Sequence, residues 1–191
     1  KQHPGHTVIS YVNTTAAVKA VTDVVVTSTN ARQIVESFPE GTPMIFGPDR
    51  NLGNYINSIT GRNMLLWDGA CHVHEQFSLE KILSLKKQYP NAEVITHPEC
   101  KQPVIQVSDF VGSTAALLMR KQSPDKEFIP APPNDSTCAC NECNFMRLNT
   151  MEKLYNCLKF EMPEIFVDEE VQKKAIKPIK KMLEISEKLG L

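Results

Sequence analysis

The chain alternates short runs of β-branched residues with longer stretches of helical periodicity through its first two-thirds. The predicted strands cover residues 7–11, 23–27, 43–46, 63–67 and 93–96. The predicted helices cover residues 15–21, 31–37, 51–59 and 79–89, with N-caps at Asn30 and Ser78 and a C-terminal glycine at Gly61. Strands that alternate with helices over short connections pair in parallel and are covered on both faces. The sequence therefore predicts an α/β fold built as a three-layer αβα sandwich.

A second, similar unit is predicted to begin near residue 91. Its first strand leads into the segment 97–99, and helical sequence is predicted to continue through Leu118. We therefore expect two domains, residues 1–90 and residues 91–191, the second ending in helices that Pro178 restarts or kinks. Because the chain enters a buried strand almost at once, we also expect an N-terminal portion that this sequence does not contain.

Composition argues against binding to nucleic acid and against a membrane span, and it favours the cytoplasm. The net charge is −1 and no broad basic excess favours nucleic acid. No apolar run approaches the length of a membrane span, and no signal sequence opens the chain. Six cysteines without an export signal indicate reduced thiols and a cytoplasmic protein.

The cysteines are grouped in a way that favours metal or redox chemistry. Cys138, Cys140 and Cys143 follow a proline-rich loop, and Cys71 lies far upstream. Local spacing supplies only part of a coordination shell, so we expect a metal site assembled between separate units. A zinc ribbon and a structural disulfide remain open as alternatives. Cys157 is expected in a helix core, and Cys100 has no assigned role.

Polar residues follow the carboxyl ends of five predicted strands, where ligands bind in open α/β sheets. The segments are 11–14, 27–30, 48–49, 71–74 and 97–99. Three helix starts, at residues 13–15, 28–30 and 112–114, offer hydroxyls or amides beside unpaired N–H groups. Ordinary N-capping would explain any one of them, but together they indicate a small polyanionic ligand.

Two histidine-containing segments are candidates for proton transfer or structural roles. His97 and Glu99 are predicted to form a general acid–base pair, because a nearby carboxylate raises the basicity of an imidazole. His72 and His74 follow Cys71 at alternate positions, so in an extended segment they would face one side and Cys71 the other. We therefore expect both histidines to support the site indirectly or to be purely structural.

These segments together resemble the quinolinate synthase family, iron–sulfur enzymes of bacterial NAD biosynthesis. The matching stretches are SYVNT (10–14), TSTN (27–30), WDGACHVHE (67–75), HPEC (97–100), DFVGST (109–114) and CACNEC (138–143), followed by Met146, Leu148 and Asn149. They occur in family order along nearly the whole chain.

The resemblance implies three homologous αβα domains around a pseudo-threefold axis, each giving one cysteine to a [4Fe–4S] cluster. The fourth iron, without a protein thiolate, would act as a Lewis acid on the substrate. The implied reaction condenses iminoaspartate with dihydroxyacetone phosphate and releases phosphate and water. Iminoaspartate would come from L-aspartate oxidase or aspartate dehydrogenase.

Each functional residue is carried over from the family by position. Cys71 and Cys143 resemble the cluster ligands of the middle and last domains, and a third ligand is expected from the N-terminal domain absent here. His97, Glu99 and Tyr11 match the catalytic residues. The substrate-binding positions are Tyr11, Asn13, Ser28, His97, Glu99, Ser113 and Thr114. Cys138 and Cys140 would be spare neighbours of the ligand, in a spacing that departs from relatives in which a disulfide forms.

The chain also departs from the family at Leu118 and Met119, where relatives have an additional segment. Two other functions stay open. One is a non-catalytic zinc module built on Cys138, Cys140 and Cys143. The other is a thiol–disulfide oxidoreductase that uses the same cysteines.

Overall fold

The computed structural model describes residues 2–121, 123, 125–134 and 143–191. Its first unit is built on a parallel four-stranded sheet in the order β2-β1-β3-β4. The strands are β1 (Thr7–Tyr11), β2 (Val24–Val26), β3 (Met44–Gly47) and β4 (Leu65–Leu66). In the centre of this sheet Ile9 lies opposite Val24 on one side and Phe46 on the other. The prediction of parallel strands in an α/β fold is confirmed.

Three helices connect these strands, namely α1 (Ala16–Lys19), α2 (Ala31–Glu36) and α3 (Arg50–Thr60). Asp49 caps α3 by accepting from the N–H of Leu52, and Gly61 ends α3 with a φ of +68°, the left-handed conformation that glycine adopts without strain. Asn30 lies at the N-cap of α2 as predicted, but its side chain accepts from Thr27 instead of the helix.

The edge strand β2 is fully buried although it has only one neighbouring strand. Helix α8 (Glu169–Lys188) packs against β2 and α1 and covers this edge of the sheet. Its residues Ala175, Pro178 and Met182 are buried, and Met182 belongs to the same core as Ile9 and Phe46. An edge covered by a helix cannot pair with another chain, so α8 protects the sheet as well as filling its core.

The course of α8 bears on two expectations. Helix α8 is one continuous helix across Pro178, so of the two alternatives a new helix at this residue is wrong, and a kink stays a prediction. The buried proline ring packs in the core, which offsets the hydrogen bond that the missing N–H cannot make. The domain boundary at residue 90 stays a prediction, but α8 packs on β2, α1 and α2 of the first unit.

The second unit contains a parallel pair of short strands, β5 (Ile95–Thr96) and β6 (Phe110–Val111). Three helices surround this pair, namely α5 (Gln102–Gln106), α6 (Thr114–Lys121) and α4 (Leu79–Gln88), which precedes the predicted boundary at residue 90. Ser78 caps α4 as predicted. A small core of Ile82, Cys100 and Val104 lies between these elements. Strand β6 interrupts the stretch predicted as helix, because a strand of two residues leaves no periodic signal.

Helix α7 (Met151–Phe160) follows the Cys143 segment and is almost entirely exposed. Cys157 lies on it and is exposed, so the prediction that this thiol belongs to a helix core is wrong. Helical periodicity identified the helix but could not show whether anything covers its apolar face. Across the part of the chain that the structure describes, none of the helices is both long and apolar enough to cross a lipid bilayer.

Candidate functional site

Tyr11 and Ser28 meet at the carboxyl edge of the first sheet, where β1 and β2 end side by side. The Tyr11 hydroxyl donates to Ser28 Oγ at 3.4 Å and lies 3.4 Å from the Ser28 N–H, from which it accepts. Asn13 lies exposed in the turn that follows β1. The structure thus brings together three of the predicted substrate-binding residues in one corner of the site.

Asp49 holds the loop that carries Cys71. One carboxylate oxygen caps α3 through Leu52, and the other accepts from the Cys71 N–H at 2.7 Å. Burial raises the pKa of this carboxyl group, and the two backbone hydrogen bonds partly oppose that shift. A Cβ at Gly69 would lie 2.5 Å from the Pro48 carbonyl oxygen, so only glycine allows the loop to approach so closely.

Cys71, His74 and Glu99 form a compact group where the two units meet. Their possible ligand atoms all lie within 4.8 Å of one another. His74 Nδ1 is 3.1 Å from Glu99 Oε2, a distance typical of an ion pair, although the angles are not those of a directed hydrogen bond. Carboxylate, imidazole and thiol are the side chains that bind metals or move protons.

The expectation that His74 points away from Cys71 is wrong. The segment after Cys71 is not extended but turns at once, with the Glu75 N–H bonded to the Cys71 carbonyl at 3.0 Å and a short 3₁₀ helix over His74–Gln76. A turn brings residues three apart onto the same side, whereas a strand would separate them. His72 is exposed.

His74 and His97 have opposite charge preferences although their rings stack. Burial alone would lower the pKa of His74, but contacts with Cys71 and Glu99 raise it to about 9. Burial lowers the pKa of His97 to about 4, and the Glu99 carboxylate only partly opposes this. At neutral pH the pair therefore consists of a charged His74 and a neutral His97.

The thiols of Cys71 and Cys100 also have pKa values shifted in opposite directions. Burial tends to raise the pKa of Cys71, but His74 and neighbouring backbone N–H groups outweigh it, so the pKa is lowered. Burial raises the pKa of Cys100 to about 11. Cys71 is consequently suited to bind a metal as thiolate, and Cys100 behaves as a core residue.

The second sheet places His97, Glu99, Ser113 and Thr114 at its own carboxyl edge. The Gly112 N–H bonds to the Thr96 carbonyl at 3.0 Å, so the segments after β5 and β6 run side by side. Ser113 is buried and caps α6 by accepting from the Ala116 N–H, while Thr114 is exposed. Among the described residues, no hydrogen bond or ion pair joins this set to Tyr11 or Ser28.

Cys143 is half-buried, and one contact relates its segment to Cys71. The rings of His72 and Phe145 pack edge to face with centroids 5.8 Å apart. This contact places the segments of the two predicted ligands next to each other. Cys138 and Cys140 lie outside the described residues, so their predicted role as spare neighbours stays a prediction.

A cavity of about 800 Å³ opens beside the histidine pair. Its lining includes His97 and Cys100 together with the apolar residues Phe77, Ile82, Val104 and Ala131.

Sequence reasoning missed the bridging residues Asn51 and Glu75. The Asn51 amide donates to Glu75 Oε1 at 2.8 Å and to the Glu99 carbonyl oxygen at 3.1 Å. No local pattern marks them, because the contact joins residues 24 and 48 positions apart.

Comparison with known proteins adds an independent finding. The family model described as quinolinate synthetase A protein matches residues 1–123 and 116–184. Two relatives named quinolinate synthase, from Synechococcus sp. and Thermosynechococcus vestitus, are each 49% identical over 96% and 97% of this chain. A third, from Chloroherpeton thalassium, is 48% identical over 97% of it.

The chain spans 64% to 65% of the length of these relatives. The alignments run over 206 or 207 positions, more than the 191 residues of the chain, so the relatives also carry internal residues without a counterpart here. The family match is likewise divided around residues 116–123, where the sequence analysis placed a missing segment. Matches over nearly every residue show that the chain belongs to the quinolinate synthetase A family.

Proposed function

We propose that the protein carrying this chain is a quinolinate synthase. It condenses iminoaspartate with dihydroxyacetone phosphate to quinolinate, with loss of phosphate and water. The observation that carries the proposal is the grouping of Cys71, His74 and Glu99 beside His97, at the edge where the two units meet. That grouping offers a thiol with a lowered pKa and acid–base groups within one small space.

A [4Fe–4S] cluster would be held by Cys71 and Cys143, with a third cysteine from outside this chain. The residues fit such a group on two observations. The thiol of Cys71 has a lowered pKa, and the contact between His72 and Phe145 brings the Cys143 segment alongside. When bound, the cluster supplies an iron with an open coordination position as a Lewis acid.

His97 and Glu99 would handle protons. The Glu99 N–H lies 3.3 Å from His97 Nδ1 and donates to it, so the neutral ring carries its proton on Nε2. His97 can therefore donate a hydrogen bond from Nε2 to a substrate oxygen. The Glu99 carboxylate, held against the charged His74, can accept a proton from the substrate.

The remaining predicted residues would bind the acidic groups of the substrates. Tyr11, Asn13 and Ser28 present hydroxyl and amide groups on the first sheet, and Ser113 and Thr114 lie at the start of α6 on the second. Hydroxyl, amide and backbone N–H groups suit carboxylates and phosphate esters. We place the enzyme in the cytoplasm, supplied with iminoaspartate by L-aspartate oxidase or aspartate dehydrogenase.

The test is anaerobic synthesis of quinolinate by the complete polypeptide. We expect product from both substrates, and His97→Asn should lower kcat by about 100-fold or more while iron content is unchanged. His3→Asn, an exposed histidine, is the matched control and should keep full activity. Colourless protein with one equivalent of zinc, or activity in a disulfide reductase assay, would instead support one of the two alternatives.

A further inference from the structure

Asn51 reaches from the first unit into the second at the candidate site. It lies in the first turn of α3, and its amide nitrogen donates 2.8 Å to Glu75 Oε1 and 3.1 Å to the Glu99 carbonyl oxygen. An asparagine amide has two N–H donors, and both are used here. Aspartate, which has the same shape and no donor, could make neither bond.

Glu75 is itself held in place by two cationic side chains. Its other carboxylate oxygen lies 3.4 Å from Arg50 Nη2 and 3.7 Å from Lys101 Nζ. Arg50 belongs to α3, whereas Lys101 follows the Glu99 segment, so one carboxylate ties both units together. With its side chain only 25% exposed, this ion-paired group is held more firmly than a surface pair.

Glu99 is held through three different groups. Its carbonyl accepts from Asn51, its N–H donates to His97 Nδ1, and its carboxylate meets His74 Nδ1. The last two contacts define the direction of the proposed proton acceptor. The first fixes the peptide group that follows the Glu99 Cα, the atom from which the carboxylate side chain extends.

We propose that Asn51 is a positioning residue that orients Glu99 toward His74 and His97 by holding its carbonyl oxygen. The expected effect on kcat rests on the proposed function. The expected hold of Asn51 on the Glu99 segment rests on the geometry alone. A purely structural role, in which Asn51 only anchors the Cys71 loop on α3 within the first unit, would need only the bond from Asn51 to Glu75. A positioning role also needs the bond to Glu99.

Two variants separate these roles. Glu75→Gln keeps an oxygen that accepts from Asn51 and leaves the bond to Glu99 in place. The double variant Asn51→Asp with Glu75→Gln restores the contact between positions 51 and 75 with donor and acceptor exchanged. It keeps the net charge of the native pair, but no donor then faces the Glu99 carbonyl.

The first readout is hydrogen exchange of the peptide covering residues 96–101, measured by mass spectrometry. Relative to Glu75→Gln, the double variant should exchange about tenfold faster there, which corresponds to the loss of one hydrogen bond. The midpoints of thermal unfolding of the two variants should agree within about 3 °C. If the double variant folds poorly, Asn51→Ala takes its place. This change removes both bonds without adding charge and should raise the exchange rate of the same peptide.

The second readout is quinolinate synthesis by the complete polypeptide. The double variant should lose about 100-fold in kcat relative to Glu75→Gln, because a small displacement of a reacting group costs that much. Its KM should change by less than about threefold, since Asn51 is not placed against substrate. Asn54→Asp, on the exposed side of the same helix, makes the same chemical change and should alter neither readout.

Equal exchange in the double variant and in Glu75→Gln would overturn the positioning role, whatever the activity. Faster exchange with unchanged kcat would also overturn it, since Asn51 would then only tie the units together. If exchange responds as expected but the native protein makes no quinolinate, the proposed function alone fails.

Discussion

The imidazole rings of His74 and His97 stack almost parallel, with centroids 4.6 Å apart and 9° between their planes. One ring comes from the Cys71 loop and the other follows β5, so the stack joins the two units at the site. Two stacked imidazolium ions would repel each other, and burial favours the neutral form of each ring. The contacts of His74 with Cys71 and Glu99 decide which ring keeps the charge.

This arrangement predicts that stability of the metal-free chain is greatest near pH 6.5. Because the folded pKa of His74 is raised from 6.5 to about 9, its stabilising effect is complete below pH 6.5 and is lost as the pH rises through 9. The folded pKa of His97 is lowered to about 4, so the fold also loses stability as the pH falls from 6.5 through 4. Urea unfolding between pH 4 and pH 10 measures both limbs.

A variant of His74 tests whether this ring causes the loss of stability at alkaline pH, which we call the alkaline limb. His74→Gln should remove the loss of stability above pH 6.5 and keep most of the loss below it, because burial, the larger cause of the lowered His97 pKa, is unchanged. His3→Gln, at an exposed position, should change neither. An alkaline limb that persists in His74→Gln would contradict the charge assigned to this histidine.

The thiols should react at very different rates in the metal-free chain. Cys71 is half-buried with a lowered pKa, whereas Cys100 is 2% exposed and has a pKa of about 11. Because the thiolate is the reactive form, iodoacetamide at pH 7 should modify Cys71 at least about 100-fold faster than Cys100. Peptide mass spectrometry gives both rates, and denaturant, which should equalise them, is the control.

Helix α8 should contribute strongly to the stability of the first unit. Met182 is 9% exposed within its core, and the adjacent Leu183 is 57% exposed. Met182→Ala should therefore lower the free energy of unfolding by about 2–3 kcal/mol, and Leu183→Ala by less than about 1 kcal/mol. Equal losses in chemical denaturation would show that α8 does not pack as described.

Much of the fold was predictable because its signals are local. The buried β-branched runs indicated β1, β2 and β3, and capping residues such as Ser78 indicated where helices begin. The failures have a common physical origin. The position of α8, the burial of Pro178 and the exposure of Cys157 all depend on which element covers which, and periodicity within one element does not record that.

The site shows the same division. Position at the carboxyl ends of strands was enough to pick out the segments that contain Tyr11, Ser28 and His97, and the family resemblance singled out these residues within them. The sequence could not show that the Cys71 loop turns and brings His74 against Glu99. Nor could it reveal Asn51, whose partners lie on other elements.

The account depends most on thiolates of separate units sharing one iron–sulfur centre. The most direct test measures iron and sulfide in the anaerobically purified complete polypeptide and in two single-cysteine variants. Native protein and Cys157→Ala, a change at an exposed helix position, should each hold about four irons per chain, the content of one [4Fe–4S] cluster. Cys71→Ala should hold almost none while its circular dichroism is unchanged. Full iron content in Cys71→Ala would contradict the central claim.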